Sequence, residues 1–345
     1  MTKVFQWASG TVGRHAARAA ANRCELELVG LHVRSADKVG RDIGELIGAD
    51  NLGIAATSDI AQVAASAADV VIHAPLPSMV YGDNPNQDLD DICALLEAGK
   101  NVITVVGYMY PAVYGPELVA RLERACATGQ STFHSTGLNP GWMGDLLPLT
   151  MSALLERVDR IHVLEISDFQ GYPSPEIMFK SMGFNSEPEV FQRSNARRAN
   201  WLNGLFSESV QMVADGIGLG VTEVASHMEI ALAEADLETA SGTVRAGTVA
   251  GQHWRWSGLT AQGDERVVHE TVWRMHHTVA PQWATGGHQI HVSGRPEMKL
   301  EIAADYISDG LLGTAMHAVN AIPYVVAAEP GIKTFLDLPW MMARQ

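Results

Sequence analysis

The sequence predicts an α/β protein in which a doubly wound parallel sheet is followed by an α+β domain with an open mixed or antiparallel sheet. Short, nearly continuous apolar runs alternate with helical segments over about the first 140 residues, which is typical of a parallel sheet covered on both faces. A glycine turn separates the first apolar run from the first helix. Beyond residue 145 the runs lengthen and alternate between polar and apolar residues, as strands of a half-exposed sheet do.

The glycine turn lies between a predicted strand at residues 3–8 and a predicted helix at residues 14–22. Gly10 and Gly13 fit the spacing G-x-G-x-x-G, with Ala8 in the place of the first glycine. Such glycines let the backbone approach a pyrophosphate, which the amides of the helix N-terminus also attract. We therefore predict a Rossmann dinucleotide site, although glycines can also simply end a strand. The residues expected at the pyrophosphate are Ser9, Gly10, Thr11, Val12, Gly13 and Arg14.

Basic residues follow the second predicted strand, at residues 25–33. An acidic residue at the end of this strand normally binds the ribose 2′-hydroxyl of NAD, whereas a basic one accommodates the 2′-phosphate of NADP. Here Arg34, Lys38 and Arg41 follow the strand, and Asp37 lies beyond its end. The sequence therefore predicts NADP as the cofactor, with NAD as the alternative, unless these residues only form a solvated basic loop.

Further strands are predicted at residues 68–74, 101–106 and 131–135, with helices at residues 57–67, 88–98 and 116–128. Ligands of open α/β sheets bind at the carboxyl ends of the strands. Ala74 and Pro75 end one of these strands, and Gly107 follows the next. We expect these three residues near the nicotinamide and its ribose.

The last strand of the first domain leads into Gly137-x-Asn139-Pro140-Gly141-Trp142-x-x-Asp145-x-Leu147-Pro148. Such a turn would leave the Asn139 side chain near the nicotinamide, and its structural alternative is a turn that only links two domains. We place the dinucleotide-binding domain at residues 1–145, a substrate and dimerisation domain at 146–310, and a C-terminal segment that packs back on the first domain at 311–345.

Within the second domain we expect a strand at residues 160–168, an irregular segment at 170–200, and helices at 146–156, 207–216 and 221–237. Strands are expected at 249–259, 265–276, 288–292 and 297–304, and a helix at 313–327. Trp254 and Trp256 alternate on one strand and Trp273 lies on the next. This face is interpreted as core or as a contact between two copies of the chain.

Composition excludes several classes of function. A net charge of −15 over 345 residues argues against nucleic acid or an anionic membrane as partner, since either requires a basic face. The three cysteines lack metal spacing, and no apolar run reaches the ~20 residues of a membrane span. We expect a cytoplasmic protein. No metal site is expected, because neighbouring histidines such as His276 and His277 would point to opposite faces of a strand.

Four segments resemble the native amine dehydrogenases, a group that includes 2,4-diaminopentanoate dehydrogenase and shares the fold of dihydrodipicolinate reductase. The segments are S-G-T-V-G-R from Ser9, K-V-G-R-D-x-G-E-L from Lys38, the motif from Gly137, and N-A-I-P from Asn320. The resemblance implies a homodimer formed through the open sheet. It also implies NAD(P)H-dependent reduction of a C=N or C=O bond in a small, mostly apolar substrate, and Asn320 is included among the cofactor contacts.

One departure from this group concerns proton transfer. Its members typically carry an acidic pair before the Tyr-Pro that matches Tyr110-Pro111, whereas this chain has Val106 and Gly107 there. Use of ammonia therefore does not follow from the resemblance. A ketone or preformed-imine reductase, or a catalytically silent NADP-binding protein, are the alternatives. Tyr108 and Asp168 are the candidate catalytic residues, and Trp142, Tyr172 and Phe179 the candidate substrate contacts.

Overall fold

The computed structural model describes residues 1–303 and 306–343, and the chain divides into two compact units. The first unit comprises Met1–Trp142 and Leu311–Gln345, and the second comprises Met143–Gly310. The strands are β1 (Thr2–Trp7), β2 (Leu26–His32), β3 (Val70–His73), β4 (Asn101–Thr104), β5 (Thr132–Ser135), β6 (Arg157–Asp168), β7 (Val221–Leu232), β8 (Leu237–Thr239), β9 (Gly242–Val244), β10 (Val249–Thr260), β11 (Glu265–Arg274), β12 (His288–Arg295), β13 (Met298–Ile302) and β14 (Gly331–Lys333). The α-helices are α1 (Thr11–Asn22), α2 (Ile43–Ile47), α3 (Ile60–Ala65), α4 (Ser78–Tyr81), α5 (Gln87–Glu97), α6 (Pro116–Gly129), α7 (Leu147–Ser152), α8 (Pro188–Ser194), α9 (Ala196–Ile217) and α10 (Tyr306–Val326).

The first unit is built on a six-stranded parallel sheet in the order β14-β5-β4-β3-β1-β2. The predicted α/β class and doubly wound sheet are confirmed. Strand β1 pairs with β2 on one side and with β3 on the other, so the strand order reverses at β1. In open α/β sheets this reversal creates the crevice in which ligands bind, outside the carboxyl ends of the strands.

Strand β14 was missed by the sequence analysis. Its three residues, Gly331 to Lys333, pair in parallel with β5 and complete the sheet at its edge. So short a run carries no periodicity of its own, and only its partner β5 makes it a strand.

The second unit contains a six-stranded mixed sheet in the order β13-β12-β6-β11-β10-β7. Strands β6 and β11 are parallel to each other, and the remaining neighbours are antiparallel. Helix α9 covers the face that carries the tryptophans: Phe206 stacks on Trp256 at 3.9 Å between ring centroids, and Trp256 stacks on Trp254 at 5.6 Å. The tryptophans are therefore core residues, and a second copy of the chain is not needed to cover them.

The helix expected at residues 221–237 is wrong. Residues Val221–Leu232 form strand β7, which pairs with β10 along its length. The Ala, Glu and Met residues of this segment favour a helix, but the pairing with β10 outweighs this intrinsic preference. Helix α9 also begins earlier than expected, so that the segment predicted to be irregular contains α8 and the first turn of α9.

The other boundaries shift by a few residues. Strand β13 ends at Ile302, whereas the prediction ran to Ala304, which lies outside the described residues. Helix α10 begins at Tyr306, ahead of the expected start at Gly313. Among the helices of the described residues, none is both long and apolar enough to cross a membrane.

Candidate functional site

The glycine turn joins β1 to α1 and leaves the N-terminus of α1 open. A Cβ atom on Gly13 would lie 2.1 Å from the carbonyl oxygen of Ala8, so only glycine fits between the helix and the strand. At Gly10 an added Cβ would meet nothing within 4 Å, so the surface above this residue is open. The first turn of α1 contains no acidic residue, and no side chain caps it. Its amides are therefore able to donate hydrogen bonds to a pyrophosphate, and the binding of one here stays a prediction.

Ala8 takes the left-handed backbone conformation expected of the glycine that it replaces. Its φ is +76°, a region that costs an L-residue about 1–2 kcal/mol. The turn thus keeps the geometry of a three-glycine fingerprint with an alanine in the first position, and it stores backbone strain at the edge of the candidate site.

The three predicted basic residues lie in different environments. Lys38 donates from Nζ to Ser9 Oγ at 3.1 Å, which brings its charge beside the glycine turn. Arg41 forms an ion pair with Glu45, with Nη2 and Oε1 2.6 Å apart, so its charge is already balanced. Arg34 is half exposed at the carboxyl end of β2. The guanidinium of Arg34 lies 3.6 and 3.7 Å from the carboxylates of Asp91 and Asp88, too far for the hydrogen bonding that occupies Arg41, so Lys38 and Arg34 are stronger candidates than Arg41 for a 2′-phosphate.

Neutral aromatic and histidine side chains lie beneath these charges, at the ends of β1, β2 and β3. The rings of Trp7 and His32 stack with centroids 3.7 Å apart, and His73 lies 5.8 Å from Trp7. Burial lowers the pKa of His32 to about 4 and that of His73 to about 3. Both imidazoles are therefore neutral at pH 7, and they add no positive charge to the site.

The segment after β4 holds the predicted nicotinamide contact Gly107 and the candidate acid Tyr108. Ser135 Oγ donates to the carbonyl oxygen of Gly107 at 2.7 Å and fixes the backbone there. Tyr108 has a φ of +67°, and its ring lies in a buried hydrophobic cluster, 5.6 Å from the ring of Tyr114. This packing favours a structural role for the Tyr108 ring, so Asp168 becomes the stronger of the two catalytic candidates.

The positions that lack the acidic pair are poor places for a carboxylate. Val106 is buried in the same hydrophobic cluster, where a charged side chain would have no water. Gly107 has a φ of +127°, which strains any residue with a Cβ. Ala74 and Pro75, at the end of β3, are buried and half-buried respectively. These four positions therefore offer backbone and apolar contacts and no ionisable side chain.

The turn after β5 is held by a histidine that sequence reasoning missed. His317 of α10 lies with Nδ1 2.7 Å from Thr136 Oγ1, directly before Gly137. Burial lowers the pKa of His317 to about 4, so the ring is neutral at pH 7. Beyond this contact, Gly141 has a φ of +132°, and Trp142 donates its amide to Gly137 O at 2.9 Å. No motif in the sequence marks His317, because its partner lies far away along the chain. Half-buried Asn139 lies within this turn.

Asp145, the acid of the same motif, serves the packing of the second unit. Ser209 of α9 donates from Oγ to Asp145 Oδ1 at 2.6 Å, and the same Oγ lies 3.2 Å from His269 Nε2. His269 Nε2 also lies 3.1 Å from the carbonyl oxygen of Gly144, to which it can only donate. All three side chains are buried, so this Asp–Ser–His cluster joins the motif to α9 and β11 and is not a hydrolase site.

The remaining candidates of the second unit lie at and after the end of β6. Asp168 Oδ1 accepts from the amide of Gln170 at 3.0 Å, and Asp168 pairs in register with buried Arg274 of β11. Tyr172 is half-buried, and burial raises the pKa of its phenol. Phe179 is half-buried and lies against Gly242. Asp168 and Tyr172 are thus neighbours in one segment.

Asn320 lies elsewhere. It lines a cavity of about 110 Å³ with Thr2, Arg23 and Leu26, which lie at the amino ends of β1 and β2. This is the edge of the sheet opposite the glycine turn, so the structure gives no support to Asn320 as a cofactor contact. Among residues 1–303 and 306–343, no group of three or more His, Cys, Asp or Glu side chains is arranged to hold a metal ion.

Comparison with known families and proteins identifies both parts of the chain. Residues 142–345 match the 2,4-diaminopentanoate dehydrogenase C-terminal domain, and residues 7–84 match the N-terminus of dihydrodipicolinate reductase. An amine dehydrogenase of Streptomyces virginiae is 30% identical over 98% of this chain and 96% of its own length. The 2,4-diaminopentanoate dehydrogenase of Acetoanaerobium sticklandii is 28% identical over 72% of this chain and 69% of its own.

The fold agrees with these matches. The structure of an amine dehydrogenase from Mycobacterium smegmatis superimposes with a TM-score of 0.80, at 21% identity, over 99% of this chain and 97% of that one. The resemblance seen in the sequence motifs is thereby confirmed. The chain belongs to the family of amine dehydrogenases and 2,4-diaminopentanoate dehydrogenases, a family of NAD(P)-dependent oxidoreductases.

Proposed function

We propose that this protein is an NADP-preferring amine dehydrogenase, which moves a hydride between the nicotinamide and the amine- or imine-bearing carbon of a small, mostly apolar substrate. The observation that carries the cofactor half of the proposal is the open glycine turn with Lys38 bonded to Ser9 beside it. The amine half rests on the relatives' activities. A ketone reductase or a silent NADP-binding protein is not favoured by them.

The residues around the glycine turn suit a dinucleotide both in their chemistry and in the space that they leave open. Amides of Thr11, Val12 and Gly13, at the uncapped start of α1, would hold the pyrophosphate over the open surface of Gly10. Arg34 and Lys38 would hold the 2′-phosphate with charge-assisted hydrogen bonds. The residues that would line the nicotinamide and its ribose are Ala74, Pro75, Gly107 and Asn139. When bound, the nicotinamide supplies or accepts the hydride.

The second half of the reaction needs a proton acceptor for the amine nitrogen. We assign this role to Asp168, because Tyr108 is packed in the core and no carboxylate follows β4. The amide of Gln170 fixes Asp168 Oδ1, so Oδ2 is the oxygen that would take up or return the proton. Trp142, Tyr172 and Phe179 would supply the apolar surface that binds the substrate and excludes water.

We further propose a homodimer formed through the sheet of the second unit, on the face opposite α9. On this face Glu270 accepts from His253, His162 and Arg255 at 2.7, 2.9 and 2.9 Å. Such a mixed-charge face can pair with a copy of itself about a twofold axis. Light scattering at micromolar concentration should give twice the mass of the chain, and a single-chain mass would contradict the proposal.

A cytoplasmic location is proposed from the free thiols of Cys24, Cys93 and Cys126.

The activity is tested by following NADPH oxidation with a panel of small apolar ketones, with and without ammonium, and by identifying each product. We expect oxidation to depend on ammonium and the product to be the amine. An alcohol formed without ammonium would identify a ketone reductase instead. Binding of NADPH without turnover of any ketone, imine or amine would identify a silent binding protein.

A further inference from the structure

Arg34 is the only one of the three basic candidates that faces two sequestered carboxylates among the described residues. Its Nη2 lies 3.7 Å from Asp88 Oδ1 and 3.6 Å from Asp91 Oδ2, both on α5. The acidic side chains are 4% and 10% exposed, whereas the Arg34 side chain is 47% exposed. One edge of the guanidinium therefore faces buried acid, and the rest of it faces solvent at the carboxyl end of β2.

The two carboxylates are fixed by other groups. Asp88 Oδ2 accepts from the amide of Ser78 at 2.6 Å, while Ser78 Oγ accepts from the amide of Asp88 at 3.0 Å. Asp91 Oδ1 accepts from Gln87 Nε2 at 2.7 Å. In each acid, one carboxylate oxygen accepts these hydrogen bonds and the other oxygen is the one nearer Arg34. The two carboxylates are thus held in fixed positions beside the guanidinium of Arg34.

The contact of the two acids with Arg34 is electrostatic, at distances longer than a hydrogen bond. Separations of 3.6 and 3.7 Å exceed the length of a charge-assisted hydrogen bond, so the donors of Arg34 are not consumed by the acids. Asp91 places a negative charge on the same guanidinium that a bound 2′-phosphate would use. A phosphate and Asp91 therefore compete for one positive charge.

We propose that Asp91, acting through Arg34, is a determinant of cofactor specificity that weakens the preference for the 2′-phosphorylated dinucleotide. Asp91 is the nearer and the more exposed of the two acids, and its carboxylate offsets part of the charge of the guanidinium. The chain then discriminates between NADP and NAD less than an unpaired arginine would. This inference rests on the proposed contact between Arg34 and the 2′-phosphate.

The test measures binding of two fragments, adenosine 2′-monophosphate and adenosine 5′-monophosphate, by titration calorimetry at low salt, and needs no turnover. Asp91→Asn should tighten binding of the 2′-monophosphate about three- to tenfold and leave the 5′-monophosphate unchanged, with the difference shrinking as salt is added. Asp90→Asn is the matched control, because Asp90 lies next in the same helix but pairs with Arg121 at 2.6 Å. It removes the same charge and should leave the ratio of the two affinities unchanged.

Arg34→Ala separates the two proposals. If it lowers affinity for the 2′-monophosphate while Asp91→Asn has no effect, the role of Asp91 is refuted and the phosphate contact stands. If Arg34→Ala leaves the ratio unchanged, the NADP assignment itself is refuted. In the double variant the gain from Asp91→Asn should disappear, and its persistence would show direct repulsion of the phosphate rather than action through Arg34.

Discussion

The two glycines of the turn should respond in opposite ways to the same substitution. Gly10→Ala adds a methyl group that meets nothing within 4 Å, at a φ of −68° that alanine adopts freely. The folded protein should be unchanged or more stable by about 0.4–1 kcal/mol, since the unfolded chain loses freedom. The added methyl group would, however, stand between the backbone and a pyrophosphate. Such overpacking costs about 1–3 kcal/mol, so dinucleotide affinity should fall by roughly 5- to 150-fold.

Gly13→Ala is the matched comparison. Its Cβ would lie 2.1 Å from Ala8 O and 3.0 Å from Gln6 Nε2, so the helix or the strand must move. The free energy of unfolding of this variant should fall by about 1–3 kcal/mol or more, and each kcal/mol lost should lower Tm by about 2–4 °C. Thermal unfolding without cofactor, together with titration calorimetry using NADP⁺, measures both effects. If Gly10→Ala binds NADP⁺ as tightly as the unaltered protein, the turn does not cradle the pyrophosphate.

Three further predictions concern stability. Ala8→Gly should raise the free energy of unfolding by about 0.5–1 kcal/mol, because the strain relieved in the left-handed backbone exceeds the extra conformational entropy that a glycine loses on folding. Ala19→Gly, inside α1, is the control and should lower the free energy of unfolding by ~1 kcal/mol. Chemical denaturation measures both changes. Ser209→Ala should cost about 1–3 kcal/mol, because it removes the donor to buried Asp145, and half-buried Ser207→Ala should cost much less in the same assay. Acid should unfold the protein as the pH falls from about 6.5 towards 4, because the buried histidines have lowered pKa values and the unfolded chain binds their protons first. These are His32, His73, His134, His269 and His317. Circular dichroism against pH checks this, and stability that is flat down to pH 4 would contradict it.

The features that the sequence predicts well depend on residues that lie close together in the chain. The strand, glycine turn and first helix follow from neighbouring residues, because the turn geometry and the helix start are encoded within a short segment. The basic residues after β2 are also close together in the sequence, and their contact with a 2′-phosphate stays a prediction. The order of apolar runs and helices then fixes the doubly wound sheet.

What it missed depends on partners far apart in the chain. The ion contacts of Arg34 come from α5, and the hydrogen bond of Asp145 comes from α9, so neither follows from spacing. The alternation of the tryptophans predicts either core or a contact between copies, and only the packing of α9 shows that this face is core. Strand β7 was mistaken for a helix because its composition is ambiguous and its pairing with β10 decides the outcome. Tyr108 follows the end of β4 in the sequence, and the burial of its ring in the hydrophobic cluster depends on partners elsewhere in the chain.

The most direct measurement of the central claim follows the hydride itself. The protein is incubated with a small apolar ketone, ammonium and NADPH in which both hydrogens at nicotinamide C4 are deuterium, and the product is analysed by mass spectrometry and NMR. We expect an amine with one deuterium on the carbon that bears the nitrogen, formed only when ammonium is present. A deuterated alcohol, or an amine without deuterium at that carbon, would contradict it.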